Sequence, residues 1–159
     1  MTRRTLSVVD YEAVVQLADD GDLHAVLAAV SLGAIADAWW RYTMRWEAAR
    51  RNSFPEPTWE TDPDSWAEQV WQSEVLFQRE DVVREFLSLA AIRAPEGADL
   101  GYLGAGPVED FLTNEARLLW SEHEAAVSRN FRAALANVYP RSSLNEEQNA
   151  RIRRAAQSD

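Results

Sequence analysis

The chain has 159 residues, 47% of them apolar and 26% charged, and a formal net charge of −10. Such proportions suit one compact core that buries roughly 70% of the unfolded surface, and they exclude a disordered or fibrous chain. Cysteine and lysine are both absent. Disulfides, thiolate metal sites, cysteine nucleophiles, Schiff-base lysines and P-loop lysines are therefore excluded.

Charge is unevenly spread. Residues 1–54 hold 6 arginines and 7 acids, 55–125 hold 4 and 16, and 126–159 hold 6 and 3, giving −1, −12 and +3. An acidic middle repels phosphate, so nucleic acid is not an expected partner, whereas a basic protein is. Asp10, Glu12, Asp19, Asp20 and Asp22 interrupt the first thirty residues, which rules out a signal-peptide pattern there. The longest weakly polar stretch, Leu23 to Ile35, is too short to span a bilayer. A cytoplasmic protein without membrane contact is the expectation.

Periodicity along the chain is helical. Val8 to Leu17 suits a first helix, which Asp19, Asp20 and Gly21 end. A second is predicted from about Asp22 to Arg51, where Ile35, Trp39, Tyr42 and Trp46 stack along one stripe. Asp37 with Arg41 and Glu47 with Arg51 form acid-first pairs four residues apart on other faces.

A proline-rich loop, 52–63, precedes the next start signal, Asp62 as N-cap before Pro63. Trp66, Val70 and Phe77 line up there, beside Ala67, Trp71 and Val75. After polar residues 78–81, Val82, Phe86 and Leu89 continue an apolar face. The stretch Ala94 to Pro107, with four of the six glycines, reads as a second break.

Gly106 and Pro107 then open a helix with Glu109 and Asp110 in its first turn and Ser128 to Asn130 as a break before Phe131 and Leu135. Ser143 and Glu146 have capping-box spacing for a short last helix in a polar tail. Alternating strand patterns are missing, apart from a short strand conceivable at Val8 and Val9 or at Tyr102 and Leu103. The predicted architecture is an all-α, single-domain bundle of five or six helices over residues 1–140, with 141–159 as tail.

Seven tryptophans are conspicuous. At helical spacing Trp39 and Trp46 read as core, but Trp40 points about 100° away from Trp39 and needs a second contact layer or a partner. Trp59, in the proline-rich loop, either tacks the loop down or anchors another protein. Trp40 and Trp59 are thus candidate binding residues.

Catalytic and metal signatures are weak. Of the histidines His24 and His123, the second has Trp120 three residues before it, where di-iron bundles place glutamate. No metal, cofactor or catalytic set is predicted. Glu109 and Asp110 form the densest acidic pair. Carboxylates there complement the dipole of a helix that Gly104, Gly106 and Pro107 begin, or they recognise an arginine-rich surface.

The stretch Ala105-Gly106-Pro107-Val108-Glu109-Asp110-Phe111-Leu112, followed by Phe131, Leu135 and Val138, resembles an uncharacterised family of small bacterial proteins. That family shows an A-G-P-L-E-D-L-L signature, a helix rich in Glu and Ala, and an F-x-x-x-L step. The likeness runs from about Trp66 to Tyr139 and implies membership without an activity. Val108 and Phe111 replace leucines, and Thr113 and Asn114 stand where a His-Gly often follows. The reading favoured by these observations is a non-catalytic, acidic protein-binding module, immunity-like or inhibitor-like, with a small hydrolase using Glu109 or Asp110 with His123 as the alternative.

Overall fold

The computed structural model describes residues 9–140 and 142–157. Val8 of the conceivable strand lies outside them, while Tyr102 and Leu103 are helical. Among the described residues the regular elements are all helical, and nine helices replace the five or six expected.

Helix α1, Tyr11–Asp19, is capped by Asp10, whose carboxylate accepts from the Ala13 amide at 3.2 Å, and stops at Gly21, where φ is +72°. The single helix expected from Asp22 to Arg51 is two, α2 (Leu23–Ala29) and α3 (Leu32–Arg51), set at 82°. The chain turns there because Val30 is extended and Ser31 Oγ accepts from the Ala34 amide, a cap that competes with helix continuation. Among the described residues no single helix is long and apolar enough to cross a membrane.

Helix α4, Ser65–Gln72, is followed by a 3₁₀ turn, Val75–Gln78, and by α5, Glu80–Ile92. The helix expected to reach Phe77 ends five residues earlier, with Glu74 in the left-handed region at φ 60°. Next, Gly101–Leu103, the π-helical Gly104–Val108 and Glu109–Phe111 follow one another directly and are here called α6. Helices α7 (Glu115–Val127), α8 (Arg129–Leu135) and α9 (Glu146–Gln157) complete the fold.

The polar tail is therefore a docked helix. Its capping box is not Ser143 with Glu146 but Asn145 with Gln148, whose side chains each accept from the other's backbone amide at 2.9 Å. Leu144 and Ile152 are buried, and Arg151 pairs with Glu115 and Glu122 on α7.

Helix α3 packs against α4 and α5, α1 closes on α4, and α7, α8 and α9 form a second group that α8 joins to α5 and α6. One apolar core extends from Val14 to Ile152. Trp40 belongs to it: the ring is 1% exposed and Nε1 donates to the Ala90 carbonyl of α5 at 2.7 Å. Its off-stripe position serves the α3–α5 contact rather than a partner.

Gly104 marks the tightest approach in the fold. A Cβ there would lie 2.0 Å from the Ala134 carbonyl oxygen on α8, so α6 and α8 meet backbone to backbone. Gly106, two residues on, would meet nothing within 4 Å.

The cap expected at Asp62 is displaced because arginines of α3 claim the carboxylate. Arg45 donates to Asp62 through Nε (2.7 Å) and Nη2 (2.6 Å), and to Asp64 (2.5 Å), while Arg41 grips Asp64 at 2.7 and 3.1 Å. Asp62 also accepts from the Asp64 amide, and Asp64 becomes the N-cap residue of α4 without a side-chain cap bond. Asp37, expected to pair with Arg41, instead pairs with Arg93 of the α5 end at 2.6 Å, whereas Glu47 does pair with Arg51.

Two predictions follow from this packing. Gly104→Ala should cost about 3 kcal/mol, since backbone cannot yield as a side chain can, whereas Gly106→Ala should be neutral to about 0.5 kcal/mol stabilising; urea denaturation measures both. Hydrogen bonds from Arg45 hold Asp62 below the usual carboxylate range; burial pushes Asp64 up, but Arg41 and Arg45 outweigh it and its net shift is also downward. Because the folded carboxyls titrate below their unfolded value of 3.8, their contribution is whole above about pH 4 and is lost as pH falls further. Arg45→Met should cost about 2 kcal/mol at neutral pH, less than the 3–5 of a fully buried pair because Arg45 is half-exposed, and should flatten the acid limb of a stability profile.

Candidate functional site

One groove of about 960 Å³ opens where α3, α4 and α6 converge. Its α3 wall comes from the lower half of the aromatic stripe. Ile35 and Trp39 at the top of that stripe are buried, but Tyr42 and Trp46 are only half-buried and turn toward the groove. Trp71 of α4, Phe77 and Tyr102 add further aromatic wall, with Trp71 and Phe77 tilted at 5.0 Å and Trp46 and Tyr102 edge to face at 6.0 Å.

Three carboxylates share this lining: Glu68, Glu74 and Asp110. Two are held by indoles. Trp39 Nε1 donates to Glu68 Oε2 at 2.7 Å, and Trp71 Nε1 donates to Asp110 Oδ2 at 3.2 Å. Gln72 takes the other Glu68 oxygen at 2.9 Å. These donors are neutral and bring no positive charge to the acids. Arg117 also lines the groove, but its guanidinium is committed to Glu80, outside the lining, at 3.1 Å and to Thr113 Oγ1 at 2.9 Å. Tyr42 registers the resulting field: burial first, then the negative potential of Glu68, Asp62 and Glu56, raises its phenol above the usual range.

The glycine-proline junction is built differently from its sequence reading. It does not begin a helix. Pro107 lies inside α6, and the Glu109 amide bonds to the Gly104 carbonyl, a π-type spacing that widens the backbone around a residue lacking an amide hydrogen. Glu109 and Asp110 thus occupy the last turn of α6, where they do not complement its dipole. They also diverge. Glu109 Oε2 accepts from the Tyr139 amide at 3.3 Å beyond α8, whereas Asp110 stands on the groove rim. Gly106 and Pro107 line the same groove, and Gly104 faces away into the α8 contact.

His123 is exposed on α7 and is not among the groove-lining residues with Asp110. His24 is exposed on α2. Among the described residues no group of three or more His, Cys, Asp or Glu is placed to hold a metal ion. Trp59 is not tacked down: it is 68% exposed, near Phe54 in sequence at 66%, on a loop fastened to the groove wall by Tyr42 Oη donating to Pro57 O (3.4 Å) and Trp46 Nε1 to Glu56 (3.1 Å).

Sequence reasoning missed Glu68, Glu74 and Arg117 as site residues. The available signal was the pairing of an unusual tryptophan content with an acidic middle, but only the fold brings the two together.

Among the described residues, seven of the sixteen acids of the middle segment are paired within the fold. Glu56, Asp62, Asp64, Glu80, Asp81, Glu115 and Glu122 each lie within ion-pair distance of an arginine, four of which, Arg41, Arg45, Arg50 and Arg151, come from the flanking segments. Glu68, Glu74 and Asp110 of the groove are among the acids outside these pairs.

No match was found among curated proteins or among solved structures. A family model does match, over residues 55–159, which include α4 to α9 and every groove residue outside α3. The chain therefore belongs to the family of unknown function DUF6869, in keeping with the resemblance to an uncharacterised family.

Proposed function

We propose that this protein is a non-catalytic binding module that recognises a basic protein through the groove between α3, α4 and α6, in an inhibitor-like or immunity-like role. One observation carries the reading: among the described residues Glu68, Glu74 and Asp110 form no ion pair with arginine, in a cavity walled by aromatic rings. A cationic side chain gains there both from the carboxylates and from the faces of the rings. The volume falls in the range of ordinary ligand sites, and in a partner protein it corresponds to one or a few side chains rather than a domain.

The loop beside the groove suits the same role. Exposed Phe54 and Trp59 offer apolar anchors next to a charged recess, the pairing of aromatic hot spot and polar specificity that protein interfaces use. Charge brings a basic partner in quickly, and the aromatic contacts hold it.

Gly106→Leu tests this directly. A Cβ at this groove-lining position would meet nothing within 4 Å, which leaves room for the branch to begin, so the melting temperature should hold or rise slightly. Binding of a mixed Arg and Lys peptide, followed by tryptophan fluorescence, should weaken at least about tenfold and should weaken in wild type at high salt. Trp59→Ala should weaken capture of a folded basic partner more than capture of the peptide. Full peptide binding by Gly106→Leu, or indifference to salt, would overturn the reading.

A further inference from the structure

Glu74 occupies an unusual position for its residue type. It is the residue just past the Ser73 C-cap of α4, with φ 60° and ψ 9°, and its amide bonds to the Trp71 carbonyl at 3.1 Å. Glycine is the usual occupant of that site, since only glycine enters the left-handed region without a Cβ penalty. The chain fills its other helix ends of this kind with small residues, Gly21 after α1 and Ser53, at φ 55°, after α3. At 74 it keeps a long acidic side chain instead, exposed, lining the groove, with neither arginine nor hydrogen-bond donor on its carboxylate among the described residues.

Resting on the groove reading above, we infer that Glu74 is a ligand-contacting carboxylate and that its ligand is the guanidinium of an arginine on the partner, in preference to the ammonium of a lysine. Three features support the inference. Among the described residues both Glu74 oxygens are open, and Asp110 keeps Oδ1 open because Trp71 takes only Oδ2. Glu74 and Asp110 share the groove lining with Trp71 and Phe77, so charge and aromatic surface stand together there, the Phe77 ring already carrying the Arg117 guanidinium at 5.4 Å. A guanidinium fits that arrangement: it is planar, weakly hydrated, lies flat on a ring and sends N–H donors from its rim to separate carboxylates. An ammonium is a compact, strongly hydrated charge that loses water against the rings and gains no second in-plane partner.

The test compares an Arg/Ala peptide with the matching Lys/Ala peptide on wild type, Glu74→Gln, Glu74→Gly and, as control, Glu85→Gln, an exposed acid outside the groove. Binding is read by tryptophan fluorescence and folding by thermal melting. Wild type should favour the arginine peptide by about tenfold. Glu74→Gln, which keeps the backbone and removes the charge, should lose most of that preference with an unchanged melting temperature. Glu74→Gly should lose it while melting about 2–4 °C higher, because the left-handed strain is relieved. Equal binding of both peptides to wild type overturns the arginine assignment while leaving the groove reading intact, and absence of binding by either overturns both. An equal loss in Glu85→Gln, or unchanged binding in Glu74→Gln, removes Glu74 from the contact.

Discussion

Arginine from the two ends of the chain folding onto acid from its middle is the interaction on which the rest of the structure depends. Arg41 and Arg45 fix the 62–64 segment and so set where α4 begins. Arg151 fixes α9 against α7 through Glu115 and Glu122. Neither arrangement relies on many charges in water. Asp62 and Asp64 are buried, so each guanidinium there satisfies acceptors that solvent reaches poorly, and removing it would leave a charge with little hydration. Surface pairs such as Arg79 with Asp81 or Arg154 with Glu147 lie in high dielectric and contribute little.

The second constraint is the form of α6. Proline inside a helix loses one backbone bond and pushes on the carbonyl a turn earlier. Here the π-type register absorbs that insertion. Gly104 on the same turn allows α8 to approach to contact with the backbone, which turns the opposite side of α6, with Gly106, Pro107 and Asp110, toward α3 and α4. One short motif thus performs two tasks on opposite faces: glycine at 104 permits packing, and glycine at 106 leaves room.

Much of the fold was legible from local chemistry. Asp10 and Gly21 bracket α1, Ser128 both ends α7 and caps α8, and the α3 stripe begins as core at Ile35 and Trp39. What escaped had a weak local mark or none. The breaks at Val30 and Glu74 contain neither glycine nor proline; the first is signalled only by the Ser31 cap, and the second falls on a glutamate in the left-handed region. Gly106-Pro107 followed by two acids is a valid helix start in sequence terms, so only the preceding turn beginning at Gly101 reveals that the helix is already under way. For the groove, Asp110, Gly106 and Pro107 stood out in sequence, but their neighbours Tyr42, Glu68 and Glu74 are distant along the chain, and no periodicity links residues on three different helices.

Tryptophan placement explains how the groove retains its charge without destabilising the fold. Trp39 donates to Glu68 and Trp71 to Asp110. Each indole, largely buried, requires an acceptor for its N–H, and each carboxylate requires a fixed donor to hold its position. The bond serves both needs yet adds no positive charge. Where arginine holds the acids of this protein, geometry and neutralisation come together; where indole holds them, geometry comes alone. Acids held in the second way are ordered before any ligand arrives, so a cation entering between the rings meets carboxylates already positioned and gives up little of its binding free energy to ordering them.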